Sequence, residues 1–159
     1  MEDTDELGLR AWRAVLRSHA QVIRSLDAEI ESGVDLSVRA YEVLVRLSRS
    51  PSGCLRMSEL AAGVLLSPSG VTRLLDQLVA RGFVSRRRDP ADARGYLAEL
   101  TKEGRAVFKR AHVLYERAVR EHFADRLTEE QLTMIADALG GLVAGRAAAK
   151  RPTNESQPK

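Results

Sequence analysis

The chain has 159 residues, with 25 lysines and arginines against 22 aspartates and glutamates, so its net charge is +3. This length suits one domain, or one domain with a dimerisation extension, and so small a net charge does not by itself indicate a nucleic-acid partner. No apolar run approaches the ~20 residues of a membrane-spanning helix, and the acidic first residues differ from a signal peptide. The sequence therefore predicts a cytoplasmic protein with no membrane partner.

Residues 7–31 are predicted to form one long helix, because apolar residues recur along them at helical spacing. The shared face consists of Leu9, Trp12, Leu16, His19, Ile23, Leu26 and Ile30. Such a face on a first helix suggests dimerisation. Gly33 is expected to end this helix, and a second helix is predicted from Leu36 to Ser50, with Tyr41, Leu44, Val45 and Leu47 as core candidates.

Cys54 is the only cysteine, so the chain can form no internal disulfide and no metal site from cysteine pairs. A lone thiol can sense oxidants when it is exposed and activated. The simpler interpretation is a small residue in the loop that follows the second helix.

Two helical segments follow in residues 57–66 and 67–81. In the first, Ser58 is a candidate cap and Ala61 is small enough for a close helix crossing. Val71 and Leu74 follow Ala61 by ten and thirteen residues. At that spacing, the two helices of a helix-turn-helix share a core.

The second of these helices has the features of a DNA-reading helix. Ser67 can cap its first N–H groups, and Pro68 suits its first position. Its polar face carries Ser69, Gly70, Thr72, Arg73, Asp76 and Gln77. Small residues at the start allow close approach to a phosphate, Arg73 suits a guanine edge or a phosphate, and Gln77 suits adenine. An amphipathic surface helix with a solvated polar face is the alternative.

A hairpin with four arginines within nine residues comes next. Gly82 ends the helix, residues 83–86 and 96–100 are predicted strands, Asp89 and Pro90 open the turn, and Gly95 closes it. The candidate DNA contacts of the hairpin are Arg86, Arg88 and Arg94. Asp92 lies two residues before Arg94 and is expected to hold an arginine in place, which would leave Arg94 to enter a minor groove. A solvated charged loop is the alternative.

The run from Leu55 to Gly104 resembles the winged helix-turn-helix of the MarR family of bacterial transcription regulators. The pair Asp92 and Arg94, then Leu100-Thr101 and Gly104, match that family's wing-to-helix signature. The resemblance implies a mainly α fold of about six helices with a small three-stranded β-wing. It also implies that Leu55-Arg56 is the third strand and that the first, fifth and sixth helices form a dimer base.

After the hairpin, Thr101 is predicted to cap a helix that runs to about Phe123, and Thr128 to cap the last helix. The polar end of the chain is expected to be disordered. The predicted organisation is an N-terminal dimerisation helix in residues 1–35, a DNA-binding lobe in 36–101, C-terminal dimerisation helices in 102–146 and a tail in 147–159.

The resemblance also implies function: a homodimeric, sequence-specific regulator that binds a pseudo-palindromic site on double-stranded DNA, often as a repressor released by a small ligand. Trp12, Arg17 and His19 are the candidate ligand residues, for an aromatic or anionic effector. Core packing of Trp12 and His19 is the simpler interpretation. The acidic residue that accompanies such a tryptophan and arginine in urate-responsive relatives is not found.

No catalytic residue, metal site or cofactor is predicted, because the sequence holds no nucleophile elbow, phosphate loop or metal-ligand spacing. The three histidines, His19, His112 and His122, form no evident cluster. Two alternatives remain: a winged-helix module that binds proteins, and a redox-responsive regulator that uses Cys54.

Overall fold

The structure, a computed structural model, describes residues 2–63, 68–90 and 92–143, with the side chains of residues 2–4, 62–63, 68, 93–94 and 143 left out. Ser67 as a helix cap and the tail in residues 147–159 lie outside the described residues. Within these ranges, six α-helices and three strands follow in the order α1 (Glu2–Val34), α2 (Val38–Arg49), β1 (Cys54–Arg56), α3 (Met57–Gly63), α4 (Pro68–Ala80), β2 (Val84–Asp89), β3 (Asp92–Leu100), α5 (Lys102–His122) and α6 (Glu129–Val143). The predicted mainly α fold with a three-stranded wing is confirmed.

The long helix α1 packs along α5, and only its second half is buried in the protomer. Leu26 and Ile30 are fully buried, whereas Trp12 is 57% exposed. The prediction that Gly33 ends the helix is wrong, because α1 continues to Val34. A Cβ atom at Gly33 would collide with the side chain of Leu114 on α5, so this glycine allows two helices to approach closely.

Helices α3 and α4 form the helix-turn-helix, and α4 begins at Pro68 as predicted. Its buried residues are Val71, Leu75 and Leu78. Gly82 ends the helix at a positive φ of 71°, a conformation that favours glycine. Its N–H donates to the Val79 carbonyl at 2.9 Å, and the Phe83 N–H donates to the Leu78 carbonyl at 2.9 Å. This Schellman motif confirms the predicted end of the helix.

The start of α3 differs from the prediction that Ser58 caps it. The helix begins at Met57, so Ser58 lies inside its first turn. The Arg56 N–H donates instead to the Glu59 carboxylate at 2.7 Å. The cap is thus made by a carboxylate that reaches back by one turn, as the glutamate of a capping box does.

The wing is an antiparallel sheet in the order β1-β3-β2. Leu55 pairs with Ala98, which confirms that residues 55–56 supply the third strand. The hairpin strands are longer than predicted, because β2 runs on to Asp89 and β3 already starts at Asp92. The prediction that Gly95 closes the turn is therefore wrong, since it lies within β3.

One cluster of buried residues joins the second half of α1 to α2, the helix-turn-helix, the wing and α5. Tyr41, Leu44 and Leu47 belong to it, as predicted. The Thr101 hydroxyl accepts the Gly104 N–H at 2.9 Å, and the Thr128 hydroxyl accepts the Gln131 N–H at 3.3 Å. These two bonds confirm the predicted helix caps. The division into dimerisation helices and a DNA-binding lobe stays a prediction.

Candidate nucleic-acid interface

The polar face of α4 points away from the core. Thr72, Arg73 and Gln77 are exposed, while the apolar side of the same helix is fully buried. Arg73 and Gln77 lie one turn apart, so they project from one stripe of the helix. Within the described part of the chain, neither side chain forms a hydrogen bond or an ion pair. They are therefore available to an external partner.

Ser69 and Gly70 lie in the first turn of α4, as the sequence predicted for residues close to phosphate. The Ser69 side chain is exposed and Gly70 is half-buried, and both contact neighbours within the protein. The side chain of Pro68 lies outside the described residues, so only its position as the first residue of α4 is established.

The arginines of the wing do not all face solvent. The Arg86 guanidinium forms an ion pair with Asp76 of α4 at 2.8 Å, and its Nε and Nη2 atoms are buried without a hydrogen-bond partner among the described residues. Arg86 thus joins β2 to α4. Its predicted DNA contact stays a prediction, and this geometry does not favour it.

Arg87 and Arg88 are consecutive, so they lie on opposite faces of β2. The Arg87 guanidinium lies 3.3 Å from the Cys54 sulfur, which is buried, and 3.7 Å from the Glu99 carboxylate. Arg88 is exposed and stacks on the ring of Tyr96 at 5.4 Å from the ring centroid. The backbone of Arg94 belongs to β3, and its side chain lies outside the described residues.

A buried carboxylate at the end of β2 was missed by the sequence analysis. Asp89 is only 5% exposed, and its Oδ2 atom accepts a hydrogen bond from Arg56 Nε at 2.6 Å. This bond raises the pKa of the Arg56 guanidinium above its ordinary value, and Asp92 contributes a smaller Coulombic effect in the same direction. Asp92 itself is exposed, and its predicted role in holding an arginine stays a prediction.

The candidate ligand residues Trp12, Arg17 and His19 all lie on the exposed first part of α1. Arg17 lies on an open surface of α1, together with Asp5, Glu6, Leu9, Arg10, Arg13 and Ala14. These residues all belong to one helix. A closed pocket here needs walls from outside the described part of this protomer.

One group of possible metal ligands occurs among the described residues: Glu29, Glu121 and His122. The Glu29 carboxylate is already bonded to Arg117 at 2.9 Å and to His122 at 2.7 Å. These two bonds lower the pKa of Glu29 below its ordinary value, the Arg117 bond more strongly. The cluster is best described as an ion-paired joint between α1 and α5.

A two-helix reading element beside an arginine-bearing hairpin defines a winged helix-turn-helix. The family model described as "MarR family" matches residues 34–95. The chain is 28% identical over 107 residues to the multiple antibiotic resistance protein MarR of Escherichia coli K12. The aligned region covers 67% of this chain and 73% of that protein. It is 32% identical over 114 residues to the uncharacterized HTH-type transcriptional regulator YdgJ of Bacillus subtilis, at coverages of 72% and 68%.

Solved structures agree with these relatives. The MarR family transcriptional regulator Sco3205 from Streptomyces coelicolor, crystallised in complex with DNA, aligns with a TM-score of 0.79 at 30% identity, over 89% of this chain and 92% of that one. A mutant E. coli MarR complexed with operator DNA aligns with a TM-score of 0.74 at 25% identity, over 82% and 91%. The chain belongs to the MarR family and is a transcriptional regulator rather than an enzyme. Among the described helices, none combines the length and the hydropathy needed to cross a bilayer.

Proposed function

We propose that the chain is a homodimeric repressor that binds a pseudo-palindromic DNA operator through α4 and the wing. The observation that carries this proposal is the exposed stripe of Arg73 and Gln77, which lack partners in the described part of the chain. A helix with this face reads base edges in the major groove. The two DNA-bound relatives support this use of the fold over a protein-binding module.

The wing places positively charged side chains next to α4. Arg88 is exposed on β2, and Arg94 belongs to the facing strand β3. Arginine side chains are attracted to narrow minor grooves, where the negative potential is strongest. We therefore assign α4 to the major groove and the β2–β3 hairpin of the wing to the neighbouring minor groove. A regulator that reads the chromosome is expected in the cytoplasm.

Dimerisation is proposed from apolar side chains that the protomer leaves exposed. Those on the two terminal helices are Leu7, Leu9, Trp12, Val15, Leu16, Met134, Leu139 and Leu142. A second copy related by a two-fold axis would cover both helices with one self-complementary surface. The two copies of α4 would then enter successive major grooves about 34 Å apart.

The test of DNA binding is fluorescence anisotropy with a duplex that carries an inverted repeat from the upstream region of the chain's own gene. Binding is expected to weaken steeply as salt rises, because phosphate contacts release counterions. Arg73→Ala is expected to cost about 1–3 kcal/mol and to relax the preference at one base pair. Wild-type protein that ignores such duplexes at low salt would refute the proposal.

Arg120→Ala provides the matched control, since it removes the same charge from an exposed site. Arg120 lies near the far end of α5, about 28 Å along the helix from the wing at 1.5 Å per residue. It is expected to bind the duplex like the wild type. Equal losses in both variants, with the oligomeric state unchanged, would mean that total charge, and not the face of α4, drives binding.

Release by an effector is proposed for an aromatic or anionic compound bound near Trp12, Arg17 and His19. Because these residues are exposed in the protomer, the second copy would have to complete the site. Trp12 is the only tryptophan, so its fluorescence reports binding directly. Titration with an aromatic carboxylate is expected to quench this fluorescence and release the DNA in parallel. Release without any change in Trp12 emission would place the effector elsewhere.

A further inference from the structure

We propose that Arg56 is a positioning residue, which holds the wing at a set angle to the helix-turn-helix through its ion pair with Asp89. The proposal rests on the DNA-binding function proposed above and goes beyond it by assigning a role to two residues that do not lie on the reading face. Arg56 is the last residue of β1 and directly precedes α3. Asp89 is the last residue of β2 and directly precedes the turn residue Pro90.

The pair joins two parts of the chain that no hydrogen-bonded strand pairing connects. Strand β3 lies between β1 and β2, and its Leu97 is paired with Arg56 on one side and with Arg87 on the other. Arg56 Nε and Asp89 Oδ2 are nevertheless 2.6 Å apart. The long arginine side chain therefore spans the middle strand and ties one edge of the sheet to the other.

Gly95 lies beside this crossing. It lies two residues before Leu97 and so on the same face of β3. A Cβ atom at Gly95 would lie 3.3 Å from the Asp89 Cβ and 3.1 Å from an Asp92 carboxylate oxygen. Both distances are shorter than ordinary van der Waals contact, so an added side chain would press on Asp89 and Asp92. The glycine thus keeps this face of β3 open beside the ion pair.

The Arg56 side chain is not needed to cap α3, so it is available for the ion pair with Asp89. Arg56 occupies the position just before the helix, where a serine or threonine side chain commonly caps the first N–H groups. Here Glu59 reaches back and accepts the Arg56 N–H at 2.7 Å. The backbone of Arg56 is thus fixed to α3 by Glu59, while its guanidinium is fixed to β2 by Asp89.

The burial of Asp89 gives the pair its strength. The side chain of Asp89 is 4% exposed, whereas that of Arg56 is 52% exposed. Removing the arginine would take its 2.6 Å ion pair away from this desolvated carboxylate, which is unfavourable for a buried charge. Asp89 is expected to shift toward water, and the end of β2 would move with it. Arg88 directly precedes Asp89 on this strand, so its guanidinium would reach the minor groove less often and DNA binding would weaken.

The test is a double-mutant cycle on DNA affinity with Arg56→Met, Asp89→Asn and the double variant. Each single change is expected to weaken binding about tenfold, and the double variant no more than either, because both remove one interaction. A direct contact between Arg56 and a phosphate predicts otherwise: Asp89→Asn would then bind as tightly as the wild type. Arg39→Met is the control, because it breaks a similar ion pair with Glu42 on α2, at 3.0 Å.

Footprinting separates positioning from a general loss of stability. In Arg56→Met, protection of the minor groove beside each half-site is expected to disappear, while protection of guanine N7 by α4 in the major groove persists. Uniform loss of both would overturn the proposal, and this holds even if Asp89→Asn fails to fold. Hydrogen exchange of the wing in the free protein tests the same idea without DNA. Faster exchange in β2 is expected for Arg56→Met and not for Arg39→Met. Because this measurement needs no DNA, it can support the positioning role even if the proposed DNA-binding function fails.

Discussion

Replacing Gly104 by alanine tests how tightly the wing is joined to α5. A Cβ atom at this position would lie 2.8 Å from the Phe83 carbonyl carbon and closer still to its oxygen. Both are backbone atoms, so no side-chain rotation relieves the clash. Phe83 immediately precedes β2, and its carbonyl also accepts the Thr101 N–H at 3.2 Å.

The expected change in the free energy of unfolding combines two destabilising effects and one stabilising effect. Overpacking of a tight contact costs about 1–3 kcal/mol. Displacement of the Phe83 carbonyl would also break its bond with Thr101, worth about 0.5–1.5 kcal/mol. Alanine returns at most about 1 kcal/mol through its higher helix propensity. The expected net loss is therefore about 2 kcal/mol in the free energy of unfolding, or roughly 4–8 °C in Tm for a chain of this size.

The assay is urea unfolding followed by circular dichroism, at one protein concentration because dimerisation would contribute to stability. Gly8→Ala is the matched control, since nothing lies within 4 Å of its added Cβ in α1. It is expected to raise stability by up to ~1 kcal/mol. A Gly104→Ala protein as stable as the wild type would refute the inference that this backbone contact is rigid.

Two further predictions concern polar contacts of α5. Because Arg117 and His122 lower the pKa of Glu29, its carboxylate stabilises the fold above its ordinary pKa of 4.5, and this contribution is lost as pH falls through the lowered value. Glu29→Gln is expected to reduce stability at neutral pH, and its unfolding midpoint is expected to converge with that of the wild type only once the pH has fallen below the lowered pKa of Glu29. The Tyr41 hydroxyl lies 2.6 Å from His112 Nδ1, and burial raises the pKa of Tyr41 to about 12, so the hydroxyl stays protonated. Tyr41→Phe is expected to cost about 1 kcal/mol in urea unfolding.

The parts of the fold that depend on local chemistry could be predicted from the sequence. Gly82 ends α4 and Thr101 caps α5 because their roles involve only residues within a few positions. Gly33 and Gly95 were misassigned because their surroundings depend on packing. Gly33 faces Leu114 of α5, which is distant in sequence, and Gly95 lies close to the Asp92 carboxylate of its own strand and to the Asp89 Cβ of the neighbouring strand. Spacing alone does not reveal such neighbours.

The ion pair between Arg56 and Asp89 was beyond prediction for a similar reason. The two residues are 33 positions apart, and their approach depends on the register of two strand pairs. A register irregularity between Arg88 and Asp89 further breaks the alternation from which burial could be inferred. Asp92, which the sequence pattern favoured as the supporting acid, is exposed, while Asp89 is the buried one.

The arginines of α4 and the wing fall into two groups that composition alone does not distinguish. Arg56 and Arg86 are bonded to aspartates, so they hold β1, β2 and α4 in a set arrangement. Arg73 and Arg88 are exposed on α4 and β2. Paired arginines add little to the field that attracts DNA, because the nearby carboxylates offset their charge. The salt dependence of binding is therefore expected to correspond to fewer phosphate contacts than the number of arginines suggests. The paired arginines are expected to contribute by holding the strands and α4 in place.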